Sequence, residues 1–128
     1  MNSTFISVPF KIDNDFSSIA GMGKFSSAGI ILEYETKLFG IIKNGIKESR
    51  ISLEDILDVK FKKGMFKVGA KIEIRLKNLS QLNETPNKDG KISLKIERND
   101  FELAQTAVEK INKDLTENFL MTLTEKYN

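Results

Sequence analysis

The chain has 128 residues, 20 Lys and Arg against 18 Asp and Glu for a net charge of +2, 40% apolar residues, and neither cysteine nor histidine. That size and apolar share suit one globular domain able to bury its core unaided, and the missing residue types exclude disulfides, thiolate zinc sites, cysteine nucleophiles and imidazole acid-base chemistry. So small a net charge does not by itself point to nucleic acid. No stretch approaches the roughly 18 consecutive apolar residues of a spanning helix, since Lys11, Asp13 and Asp15 interrupt even Met1 to Ala20, so a soluble, cytoplasmic protein is expected.

Thr4 to Ile12 is an apolar-rich lead in which Pro9 cannot donate to a ladder, so a strand here is expected at a sheet edge. A strand ending at Lys24-Phe25 precedes the turn Ser26-Ser27-Ala28-Gly29, and Ile30 to Glu35 then alternates Ile30, Leu32 and Tyr34 with Ile31, Glu33 and Glu35. Leu38 to Lys43 runs to Asn44-Gly45, a pair favoured where a tight hairpin needs positive φ, and Ile46 to Leu53 resumes as a strand. After Glu54-Asp55, Ile56, Val59 and Phe61 lie among Asp58, Lys60 and Lys62, and Lys63-Gly64 turns the chain. Lys67 to Lys77 is the most regular alternation, with Val68, Ala70, Ile72, Ile74 and Leu76 inward and Lys67, Lys71, Glu73, Arg75 and Lys77 outward. Asn78 to Asp89 has a loop composition, with Leu79 and Leu82 able to pin it to the core. Gly90 to Arg98 alternates again, and at Asn99 the period changes from two to 3.6. Phe101, Ala104, Val108, Ile111 and Leu115 then mark the apolar stripe of a helix, with Asn99 and Glu102 as its capping box.

About seven short strands followed by one amphipathic helix resemble the pleckstrin-homology-like superfold. The phrases Gly29-Ile30-Ile31-Leu32-Glu33-Tyr34-Glu35, Ile51-Ser52-Leu53-Glu54-Asp55-Ile56 and Lys62-Lys63-Gly64 resemble bacterial pleckstrin-homology-like and GRAM-like domains. The resemblance covers roughly residues 20 to 117. It implies a mainly β fold, a barrel of about seven antiparallel strands in two nearly orthogonal sheets, capped by a C-terminal α-helix whose plug is Phe101, Val108, Ile111 and Leu115. The whole chain, 1–128, then reads as a single domain: an N-terminal extension or edge strand over 1–19, the barrel over 20–98 and the capping helix over 99–125. The lysine-rich phosphoinositide pattern of many members of that superfold is missing here, because Ser26 to Gly29 is uncharged and the next strand carries Glu33 and Glu35. The resemblance therefore implies a fold and leaves function to a binding surface.

Seven basic residues, Lys60, Lys62, Lys63, Lys67, Lys71, Arg75 and Lys77, stand against one acid, Glu73, between positions 60 and 77. An antiparallel pair of strands would gather them on one outer face, where they could attract anionic lipid headgroups or nucleic-acid phosphates. They equally suit a solvated sheet face that resists edge association. Met65 and Phe66 combine apolar and cationic character at a hairpin tip that could enter a bilayer surface, while Phe66 also fits the start of an inward row. Nucleic-acid stacking is not expected, since Phe61 and Phe66 are better placed in the core. Glu54, Asp55 and Asp58 lack the spacing of a calcium loop and read as strand-end and turn residues, and Gly21-Met22-Gly23 is not a phosphate loop. No enzyme activity, metal or cofactor is expected. Phe119, Leu120, Met121 and Leu123 extend the helix past the reach of a plug and are candidates for self-association, or form an apolar frayed end. The sequence thus suggests a non-catalytic binding or scaffolding domain with a protein partner or itself, with an anionic-lipid module at the membrane periphery as the alternative. Lysine-to-glutamate changes at Lys62, Lys67 and Lys71 should on the first view leave function largely intact.

Overall fold

The computed structural model describes residues 5–13, 16–64, 69–77 and 87–127, with the backbone alone for 43, 44 and 127. Seven strands precede one helix: β1 (Ile6–Asp13), β2 (Ser17–Ser26), β3 (Gly29–Leu38), β4 (Ile41–Ser52), β5 (Ile56–Lys62), β6 (Ala70–Leu76), β7 (Lys91–Ile96) and α1 (Phe101–Tyr127). They form a single antiparallel sheet in the order β4-β3-β2-β1-β7-β6-β5. Alternation gives the sheet an apolar inner face, so Val8, Phe10, Phe25, Ile30, Leu32, Ile72, Ile74, Ile92 and Leu94 are buried together, and α1 lays Ala104, Ala107, Val108 and Ile111 on them. Asn112 Nδ2 donates to Val59 O at 3.0 Å and Phe61 meets Phe101 edge-on at 6.0 Å, fixing the helix to β5.

Three expectations are corrected by this topology. The sheet is open, not a closed cylinder: among the described residues no ladder joins β4 to β5. A short 3-10 turn, Leu53–Asp55, carries the chain around that corner, where Leu53 N donates to Ala28 O and Lys77 N to Asp55 O. β1 is not an edge strand. It lies between β2 and β7, fully paired to β2 but matched to β7 only at Lys11↔Lys95, and so brief a pairing on one side tolerates Pro9. Asn44-Gly45 is not a hairpin turn either. β3 and β4 turn at Phe39-Gly40, where both residues take positive φ (52° and 80°), and Asn44-Gly45 is absorbed as a bulge opposite the Glu35/Thr36 step, with Gly45 at φ 67°. The reason is register: matching Ile30, Leu32 and Tyr34 to Ile51, Ser49 and Lys47 places the surplus residues inside β4.

The remaining local readings differ in detail. Chain reversal at Ser27-Ala28 agrees with the expected turn, and Ala28 N donates to Ser26 Oγ at 3.2 Å. α1 starts two residues after Asn99, entered through a 3-10 turn at Arg98–Asp100 in which Asp100 N bonds Glu97 O at 2.9 Å, and Asn99 makes no capping hydrogen bond. Met65, Phe66, Lys67, Val68, Leu79 and Leu82 lie outside the described residues.

Candidate functional site

The outer face of β5, β6 and β7 carries the basic residues. Register sets Asp58, Arg75 and Lys91 in one cross-strand row, Lys60, Glu73 and Ser93 in the next, and Lys62, Lys71 and Lys95 in the third. The third row continues through Lys95↔Lys11 onto β1, so four lysines from four strands stand side by side. Like charges directly opposite one another destabilise a sheet, and each member of this row is in fact held by a carboxylate. Lys62 and Lys71 reach Glu73 at 2.8 and 3.1 Å, Lys11 reaches Glu97 at 3.0 Å and Lys95 reaches Asp13 at 3.1 Å.

Glu73 is the centre of this arrangement. Although it sits in an outward position, its side chain is only 6% exposed, because Lys62, Lys71 and Lys91 close over it. The hydrogen bond from Lys62 does most to pull its pKa to about 2, with Lys71 adding to it, against the opposing effect of burial. One row away, Arg75 Nε donates to both oxygens of Asp58 at 2.9 and 3.0 Å and Nη2 adds a further bond, which holds the Asp58 carboxyl below the usual carboxylate range. Of the seven basic residues singled out in sequence, Lys62, Lys71 and Arg75 are therefore engaged within the sheet. Lys60, Lys63 and Lys77 make no ion pair with a described residue, and Lys67 lies outside the described residues. Lys11, Lys91 and Lys95 belong to the same face and escaped a contiguous sequence window, because only strand register brings them there. The acidic trio likewise has local duties: Asp55 accepts from Ser52 Oγ at 2.8 Å, and Asp58 holds Arg75.

A cavity of about 450 Å³ opens where β1 and β7 part, between Lys11, Asp13, Lys95, Glu97, Arg98 and Phe101. Two of the ion pairs above cross it, so its charges are largely satisfied from within.

Apolar side chains stand exposed at both ends of β4. At the hairpin end, Phe16 and Phe39 lie 5.8 Å apart, and Leu38, Ile41, Ile42 and Ile46 are exposed beside them. At the other end, α1 runs beyond the sheet. Its 27 residues span about 40 Å at 1.5 Å per residue, while Ile111 is its last fully buried side chain. The overhang and the β4–β5 corner enclose a groove of about 560 Å³, walled by Leu53, Ile56 and Leu57 on one side and Leu115, Thr116 and Phe119 on the other. At 100° per residue, Phe119 and Leu123 share the helix stripe that faces this groove, Leu120 borders it and Met121 points to the opposite side. The four self-association candidates are thus divided: Phe119, Leu120 and Met121 are exposed and Leu123 is half-buried.

Among the described residues no helix is long and apolar enough to cross a membrane. No family model, curated protein or solved structure matches the chain.

Proposed function

We propose that this chain is a non-catalytic protein-interaction or self-association domain of pleckstrin-homology-like architecture. The architectural part is supported by the way seven antiparallel strands divide into a four-strand and a three-strand half, joined by the brief β1–β7 pairing and covered by one helix. The interaction part rests on one observation: most of the large exposed apolar side chains are gathered at the two ends of β4, with Phe5, Met22, Leu103 and Met121 standing apart from them, and Phe39, Ile41, Ile46 and Phe119 are each at least 60% exposed. Clustered apolar surface of this kind marks binding sites, whereas single exposed apolar residues do not.

The second reading, a peripheral module for anionic lipid, is favoured by the six basic against two acidic side chains on the outer face of β5, β6 and β7. It ranks lower because the carboxylates of Glu73 and Asp58 already occupy four of those cations, Lys62, Lys71, Lys91 and Arg75. Charge reversal at Lys62 or Lys71 would also disturb Glu73, so the informative changes are Lys60→Glu, Lys63→Glu and Lys77→Glu.

Two measurements decide between the readings. A photoreactive side chain placed at Ile42 or at Phe119 in the host cell is expected to trap protein, and one at Lys60 is not. Trapping at Lys60 alone would overturn the proposal. Sedimentation with phosphatidylserine vesicles at low salt is expected to leave the chain in the supernatant. Pelleting that disappears with the three lysine reversals would establish the lipid reading in its place.

A further inference from the structure

We infer that the α1 overhang is a homodimer interface in which the helices of two copies cross antiparallel about a two-fold axis at Phe119, each lying in the groove of the other. This inference rests on the protein-interaction reading and names the partner as a second copy of the chain.

The first observation is a palindrome. Around Phe119 the helix reads Leu115-Thr116-Glu117-Asn118-Phe119-Leu120-Met121-Thr122-Leu123, so leucine stands four residues to either side and threonine three residues to either side. At 100° per residue all five of these positions lie within about 60° of the Phe119 direction, which makes them one stripe. When two copies of a helix pair antiparallel about a two-fold axis, residues equally distant from the axis on opposite sides face one another. Leu115 then meets Leu123, Thr116 meets Thr122 and Phe119 meets itself, so apolar faces apolar and hydroxyl faces hydroxyl. A different protein would not require that symmetry.

The second observation is that the stripe, from Leu115 at the edge of the core onward, lies on a groove. Leu115, Thr116, Phe119 and Thr122 line it, Phe119 is 60% exposed, and the opposite wall is Leu53, Ile56 and Leu57, with Leu57 itself 51% exposed. A groove and the helix that would fill it are therefore neighbours on the same molecule, which is the requirement for an isologous contact in which each copy gives what it receives. The one charged residue of the nine, Glu117, points away from the stripe at about 160° from Phe119. One turn further, Lys126 returns to the stripe and meets the level of the partner's Asn112, where the groove is bordered by Asp58, already paired with Arg75, and by Lys77. A stable interface buries at least about 1,000 Å² in total, more than a single helix stripe supplies, so the Leu53–Leu57 wall must take part.

The chain contains no cysteine, which allows a direct test with single-cysteine variants of the full chain. Light scattering is expected to give twice the 14.5 kDa of one chain for the unaltered protein. Phe119→Cys is expected to form a disulfide-linked pair on mild oxidation, because residues on a two-fold axis meet their own copies within bridging range. Glu109→Cys, exposed one side of the helix away, should remain single. Phe119→Asp and Leu57→Lys should each weaken association by about 100-fold while leaving the far-ultraviolet circular dichroism unchanged, since both positions lie outside the core. A monomeric unaltered chain, or equal cross-linking at 109 and 119, overturns the inference. If the chain is monomeric while a probe at Ile42 still traps protein, the dimer is refuted and the protein-interaction reading stands on the other end of β4; trapping at neither end removes both.

Discussion

At the scale of single residues, Glu73 carries the largest electrostatic consequence. A carboxylate closed in by three lysines exchanges water for charge-assisted hydrogen bonds, and its role is to make a row of like charges tolerable across the sheet. Because its pKa falls from 4.5 to about 2 on folding, its contribution to stability is complete above about pH 4.5 and is lost as the pH drops toward 2. Glu73→Gln should therefore lower the unfolding free energy by about 1–2 kcal/mol at pH 7, a figure that allows for lysines free to return to solvent. In urea titrations the gap between variant and unaltered protein should narrow below pH 4.5 and close near pH 2; a constant gap would show that Glu73 acts through packing alone. Alternation marked this residue as an outward one. Its burial was not legible, because the closing side chains of Lys62 and Lys91 come from two other strands.

At the scale of elements, glycine positions separate space from backbone strain. Gly21 lies on β2 where an added Cβ would stand 2.0 Å from Glu33 O and 2.7 Å from Tyr34 Cα, a contact with backbone that cannot yield. Gly45 has open space around it but a φ of +67° within the β4 bulge. Gly21→Ala should cost at least about 3 kcal/mol, near the upper range for overpacking, while Gly45→Ala should cost only the left-handed penalty of about 1 kcal/mol. Equal costs in thermal unfolding would contradict the bulge assignment. The strands themselves were legible in their two-residue period, and the helix in its stripe from Phe101 to Leu115. The position of the β3–β4 turn was not, since Asn44-Gly45 is locally the better turn sequence and Phe39 is a poor occupant of positive φ. Packing of Ile51 against Ile30 and the Tyr34–Ser49 contact at 3.4 Å override that preference.

At the scale of the molecule, the two halves of the sheet are held together less by the β1–β7 ladder than by α1, which packs on β1, β2, β5 and β6 at once. Ile111, 1% exposed at this junction, is where a cavity is most costly. Ile111→Ala should lose about 2–5 kcal/mol and leave unfolding a single transition. Two separate transitions in the unaltered protein would mean that the halves are independent. The same helix, having sealed the core by Leu115, continues as an overhang, so one element serves both the fold and the surface assigned to a partner copy.

Taken alone, the order of residues determined which apolar side chains face inward along β3, β5 and β6, where the period changes to a helix, and the absence of thiol and imidazole chemistry. These are local properties, set within a few residues by backbone periodicity and side-chain type. Only the tertiary structure decided which charges lie beside which, that the sheet stays open between β4 and β5, and that the Leu115–Leu123 palindrome borders a groove. Those facts depend on register and on contacts between residues far apart in the chain, where a shift of one position in a ladder would turn a strand's side chains to the other face.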